Sequence, residues 1–255
     1  MNHIKETIKR FVISLGYELK KLPHSDLQRH QLNAFADQQE LLKGRPVETI
    51  LDLGANIGKM TAKYMEMFPA ARIHSFEPGD EAFTVISERF ATQPSVHLVK
   101  KAVSIRNGFE KFFVNKFNPT SSLLPVAQES GKYVDSTLTE NVETVEVETV
   151  TLDGFCRDQD IKKINILKMD IQGGELMALC GAEQLLAHRA IDLIYTEVLF
   201  AKLYEHQAYY HGIADFLTQR NYVLYGLYNC SYGRNGVLAW ADAIFLSPEI
   251  EASLK

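Results

Sequence analysis

Cysteine is scarce in this chain of 255 residues: Cys156, Cys180 and Cys230 stand far apart, with no CxxC pair and no metal-ligand spacing to a histidine. That excludes a disulfide framework and a structural zinc site, and it points to a reducing compartment. Positive charge is also short. Lys and Arg number 27 against 32 Asp and Glu, a formal charge of -5, which leaves no basic footprint for nucleic acid. No apolar run reaches the ~18 residues that a membrane-crossing helix needs. The N-terminus lacks the charged, then apolar, then small order of a signal peptide. The expectation is a cytoplasmic protein with no transmembrane segment and no nucleic-acid partner. Two glycine signatures are missing as well. GxGxxG would need glycine at 54, 56 and 59, where the chain has Gly54, Asn56 and Lys59, and there is no GxxxxGK[ST]. A dinucleotide pyrophosphate and a P-loop phosphate are therefore both disfavoured.

What is present is length and alternation. A chain of this size can bury roughly 70–75% of its unfolded surface in one core. The first 45 residues read as an N-terminal helical segment of one or two helices, with Ile4, Ile8, Phe11, Val12, Leu15 and Leu19 at helical spacing among lysines. That segment suits packing on its own domain, a homodimer contact or an anionic membrane surface. From residue 46 to 250 strand-like runs alternate with helical ones. TILDLGA, RIHSFE, VHLVKKAV, INILKMDI and IDLIYTEV are nearly continuous apolar runs, as expected of a parallel sheet covered on both faces. Between them lie Met60, Tyr64, Met67 and Phe68, then Phe83, Ile86 and Phe90 behind Asp80 as N-cap. The last two strands, YVLYGLY and WADAIFL, are joined only by NCSYGRNGV. That joint is too short for a crossover helix, so the pair should be an antiparallel hairpin. Residues 104–150 interrupt the pattern. FEKFFVN and VETVEVETV read as strands around a long polar stretch, an insertion suited to a lid.

The turn in ILDLGANIGK combines DxGxNxG with a strand-to-helix junction. Gly54 and Gly58 allow close backbone approach, and the helix N-terminus favours a carboxylate. Asn56 lies within the turn, and Asp52 is placed to face an ammonium. Glu77 ends the next strand, 23 residues beyond Gly54, where an acid accepts both hydroxyls of a ribose. The ligand this suits is an adenosyl group carrying an amino acid rather than a phosphate.

Ligands of open α/β sheets bind outside the carboxyl ends of the strands. Those ends are Gly54, Glu77, Ala102, Asp170 and Glu197. Asp170 closes an apolar strand, where an unpartnered acid is costly. Glu175 opens the following helix and could be a dipole-favoured cap or a functional acid. Beyond Glu197, FAKLYEHQAYYHG supplies His206, a candidate base, with Tyr209, Tyr210 and His211 as candidates for a substrate mouth.

ILDLGANIG, FEP, NPTSS, TLDGF, LKMDIQGGE and YTEV, in that order, resemble the FkbM-type methyltransferase family from Ile50 to Glu197. The resemblance implies the Rossmann-like class I methyltransferase fold: a mostly parallel seven-stranded sheet with an antiparallel last strand, helices on both faces and an extra β insertion after the third strand. It implies S-adenosylmethionine as cofactor and transfer of a methyl group to a hydroxyl of a small molecule, glycan or natural product. Asp170 would be the base or orient the substrate, supported by Glu175 and Glu197, with Ser121 or Ser122 reaching the ligand from the insertion. Where the family's usual run LKIDVEGAE has an acid and an alanine, this chain has Gln172 and Gly174. Magnesium is compatible with such acids, but no full coordination set is fixed. A nicotinamide-dependent oxidoreductase, for which Tyr17 and Lys21 have the Tyr-xxx-Lys spacing, and a non-catalytic methyltransferase-like module are the alternatives.

Overall fold

The computed structural model describes residues 33–254. The apolar spacing from Ile4 to Leu19, with its dimer or membrane reading, and the Tyr17–Lys21 pair lie outside the described residues. A helix over Ala34–Leu41 precedes ten strands: β1 Thr49–Leu53, β2 Arg72–Phe76, β3 Val96–Val99, β4 Ala102–Val103, β5 Gly108–Asn115, β6 Asn141–Val150, β7 Ile164–Met169, β8 Ile191–Leu199, β9 Val223–Tyr232 and β10 Leu238–Leu246.

Seven of them form one sheet in the order β3-β2-β1-β7-β8-β10-β9. β3, β2, β1, β7 and β8 run parallel, and β10 lies antiparallel between β8 and β9. Successive residues of one strand serve opposite faces: Leu193 and Tyr195 join one apolar cluster, Ile194 and Val198 the other. The continuous apolar runs follow from this two-sided burial. The expected hairpin is present, and its strands extend further than the apolar runs, to Tyr232 and Leu238.

Three local expectations are corrected. VHLVKKAV is not one strand. Lys100 pairs with Asp80 at 2.7 Å and Lys101 with Glu148 at 2.6 Å. The chain breaks there, and Ala102–Val103 joins a second sheet of order β4-β6-β5. Asp80 is the first helical residue rather than the cap. Gly79 holds that position, its N–H donating to Glu77 Oε1 at 2.8 Å. The helix opened by Glu175 stops at Cys180, and Leu186 sits on a second helix, Glu183–Ala187. At the intervening Gly181 a Cβ would lie 2.4 Å from the Ser104 carbonyl oxygen. That close approach needs glycine.

Two strands of the small sheet, β5 and β6, lie within residues 104–150, and the third, β4, comes just before them. Phe112, Val147 and Ala102 form the sheet's buried cluster, with Val114, Leu123 and Val145 packed beside it.

Candidate active site

A cleft enclosing about 660 Å³ of solvent-connected space opens at the carboxyl ends of β1, β2 and β7. Gly54, Asn56 and Glu77 form one side, and Asp170, Ile171 and Gln172 another. Ala102, Val103 and Phe112 supply apolar wall, and Asn118, Pro119, Ser121 and Leu123 of the insertion cover it.

The two glycines of the turn have different reasons. At Gly54, with φ +71°, a Cβ would meet the Asp170 carbonyl oxygen at 2.0 Å, so only glycine lets the ends of β1 and β7 touch. At Gly58, with φ +76°, a Cβ would lie 2.4 Å from the Phe90 ring and 2.9 Å from Ile86. Gly58 is absent from the cleft lining. Its requirement comes from helix packing.

Glu77 is buried at 5% exposure, yet lines the cleft. One carboxylate oxygen accepts the Asn56 N–H at 2.9 Å and the other accepts the Gly79 N–H at 2.8 Å. Each oxygen keeps a lone pair for a further donor. Burial raises its pKa, and the two backbone donors and Lys168 oppose that rise. Asn56, at φ 48°, donates from Nδ2 to Asn118 Oδ1 at 2.9 Å, linking the turn to the insertion.

Asp52 does not reach the cleft. It is fully buried, 2.9 Å from Lys168 Nζ, and accepts the Thr61 hydroxyl at 2.8 Å. The expected ammonium partner is thus an internal lysine. Lys168 Nζ also donates to the Leu53 and Gly54 carbonyls at 3.1 and 3.0 Å, fastening the turn from below. Burial alone would lower the Lys168 pKa; the charges of Asp52 and Asp170 override it and leave it raised.

At the rim Asp170 is exposed and accepts the Gln172 amide at 2.6 Å. The same amide nitrogen lies 3.2 Å from Glu197 Oε2. Glu197 is half-buried, and its pKa is pushed well up by burial and by the charges of Asp170, Glu175 and Asp242. Glu175 is buried and accepts the Ile171 N–H at 2.9 Å. It closes the turn and is absent from the lining, and burial raises its pKa to about 7.

Ser121 lines the cleft and accepts the Asn115 N–H at 3.0 Å. Ser122 is buried outside the lining, donating to the Gln172 carbonyl at 2.7 Å and accepting the Leu124 N–H at 3.0 Å. It fastens the insertion to the Asp170 turn. Ala102 is in the wall. His206 is exposed in a turn at φ 62°, not on a helix and not in the lining. Tyr209, Tyr210 and His211 line a separate hollow with Leu199 and Phe200. Among the described residues no group of three or more His, Cys, Asp or Glu is placed to hold a metal ion, and no helix is long and apolar enough to cross a membrane. Sequence reasoning missed Lys168 and Tyr204, and met Gln172 only as a departure from the family's usual run. A lysine inside the apolar run INILKMD was the available signal for the first, since a buried charge needs a partner.

The strand order, the reversed β10 and a cleft over the carboxyl ends of β1, β2 and β7 define a class I methyltransferase. The methyltransferase FkbM domain profile matches residues 52–224. The chain belongs to that family, as its motifs imply. The 2-O-methyltransferase NoeI of Sinorhizobium fredii is 27% identical over 223 residues, covering 81% of this chain and 86% of that protein. Methyltransferase sdnD of Sordaria araneosa is 27% identical over 161 residues, covering 53% and 60% of the two chains. Among solved structures, the magnesium protoporphyrin IX methyltransferase of Synechocystis PCC 6803 with bound SAM aligns with a TM-score of 0.45 at 9% identity, covering 95% of this chain and 96% of its own.

Proposed function

We propose that this enzyme moves a methyl group from S-adenosylmethionine to a hydroxyl oxygen of a sugar, glycan or natural product. The observation that carries the reading is Glu77: a buried carboxylate in the cleft wall, each oxygen already oriented by one backbone N–H and each able to accept one more donor. Two ribose hydroxyls match that arrangement. Phe76, Ala102, Val103 and Phe112 offer apolar surface for a base ring, and Asn56 leaves no bare glycine for a pyrophosphate. When bound, the cofactor supplies an electrophilic methyl on a sulfonium. The chain aligns the acceptor and takes up its proton. Asp170, exposed at the rim, receives that proton, and Glu197 shares its hydrogen-bond donor.

Oxygen as the acceptor atom is supported by the relative named as a 2-O-methyltransferase. Free thiols and a net charge of -5 support a cytoplasmic enzyme without a nucleic-acid partner. The insertion acts as the cover of the cleft, and the N-terminal segment is a candidate homodimer element.

Thermal unfolding with S-adenosylmethionine, S-adenosylhomocysteine, NAD and NADP in parallel tests the cofactor. At ~100 times Kd a native-state ligand adds about 2.7 kcal/mol. At ~2–4 °C per kcal/mol for this size, that is a rise of roughly 5–10 °C. The rise is expected with the adenosyl ligands alone and is lost in Glu77→Ala. A rise with NAD alone overturns the reading.

A further inference from the structure

From Gly54 to Gly58 the backbone of the glycine turn has no hydrogen-bond donor left for a ligand. The N–H groups of Gly54 and Ala55 donate to the Phe76 carbonyl at 3.1 and 2.9 Å, and that of Gly58 donates to the Ala55 carbonyl at 2.8 Å. Those of Asn56 and Ile57 go to Glu77 Oε2 at 2.9 Å and to Asn56 Oδ1 at 2.8 Å. Resting on the reading of the cleft as an adenosyl site, we propose that the missing donor comes from the insertion. The Asn118 side-chain amide donates a hydrogen bond to an oxygen of the ribose that Glu77 holds.

The orientation of Asn118 follows from counting protons. The Ile57 N–H needs an acceptor, so the end of the Asn56 amide that faces it is Oδ1, and the other end, Nδ2, lies 2.9 Å from Asn118. An amide nitrogen needs an acceptor opposite, so Asn118 presents its Oδ1 to Asn56. Its own Nδ2 is left with two protons and no acceptor among the described residues. Asn118 is half-buried and lines the cleft. Of the other side-chain donors in the lining, the nitrogens of Asn56 and Gln172 are already bonded, and Lys101 is paired with Glu148 at 2.6 Å. The Ser121 hydroxyl accepts the Asn115 N–H and keeps its own proton.

One residue fixes the place. Asn56 binds Glu77 through its backbone N–H and Asn118 through its side chain, so Glu77 and Asn118 border the same part of the cleft in opposite roles. The carboxylate accepts and the amide donates. A ribose hydroxyl has both needs: it gives its proton to the carboxylate and keeps lone pairs for an N–H. Ser121 is tied to Asn115 of the insertion and not to the turn. The insertion thus completes the ribose site, and the two halves of that site meet in the bond between Asn56 and Asn118.

Calorimetric titration with S-adenosylhomocysteine and with its 2′-deoxy and 3′-deoxy forms tests the assignment. Asn118→Leu removes the donor together with the tie to Asn56. Loss of the tie weakens all three ligands alike, whereas loss of the donor weakens only those that carry the oxygen it serves. The affinity for S-adenosylhomocysteine should fall in the variant, and for one of the two deoxy forms the fall should be smaller by roughly fivefold, the size of one hydrogen bond. Equal falls for the three ligands, or no fall, overturn the proposal. Asn118→Ala takes the place of the leucine variant if that one does not fold. A wild-type chain that binds no S-adenosylhomocysteine overturns the cofactor reading instead.

Discussion

A lysine in the middle of an apolar central strand is stable only if every proton of its ammonium finds an acceptor, and Lys168 has three: Asp52, Leu53 O and Gly54 O. The pair lies beneath the Gly54 turn, so it sets the shape of the turn without reaching the cleft. Removing one member of a buried pair leaves a bare charge, at a cost of about 3–5 kcal/mol. Lys168→Met should therefore lower Tm by roughly 6–20 °C. The double variant Asp52→Leu, Lys168→Met should recover most of that loss, because neither charge then remains unpaired. No recovery in the double variant would mean that the two carbonyl bonds, rather than the ion pair, carry the stability. The sequence placed Asp52 at the right strand end but could not name its partner. The lysine lies 116 residues away, and chain distance carries no sign of contact.

At the scale of elements, legibility followed the locality of the cause. Two-sided burial wrote itself into β1, β7 and β8 as continuous apolar runs, and the short NCSYGRNGV joint forced an antiparallel hairpin. The break after Val99 was not visible, because what ends the strand is pairing of Ala102 with Thr149, far along the chain. That His206 sits in a turn was not visible from its neighbours. The shape there is set by Gln207, whose side-chain oxygen accepts the Leu203 and Tyr204 N–H groups at 2.8 Å each. The insertion reads as polar loop, yet it is tied down by Asn118 to Asn56, Ser122 to Gln172, Tyr204 to Thr120 and Arg234 to Asp135. Ser122→Ala removes a donor to one buried group and an acceptor for another, each loss worth about 1–3 kcal/mol. Hydrogen exchange should quicken across residues 118–127 and stay unchanged in β1, β7 and β8. Equal protection in wild type and variant would show that the other ties suffice.

For the whole molecule, the buried acids make stability depend on pH in an unusual sense. The Glu175 pKa, about 7 in the fold, lies above its unfolded value of 4.5. The fold therefore binds the extra proton. Its contribution is complete below the unfolded value and is lost as pH rises through about 7. Glu197, Asp242 and Glu77 are raised too and act in the same direction. His74 opposes them. Its pKa is lowered to about 4 by burial and by His97, so it adds stability as pH rises up to its unfolded value of 6.5 and nothing beyond. Between about pH 6.5 and 8 the acids act alone, and Tm should fall. In Glu175→Gln the fall over that window should be shallower, whatever the absolute Tm; an unchanged slope would remove Glu175 as its source. The shared strand Ala102–Val103 has a mechanical consequence at this same scale. Those two residues are cleft wall and, by pairing with Thr149 and Val150, also part of the small sheet that carries the cover. Door and frame are cut from one board: if the small sheet acts as the proposed cover, its swing would drag the cleft wall with it, and opening for one guest would loosen the grip on the other.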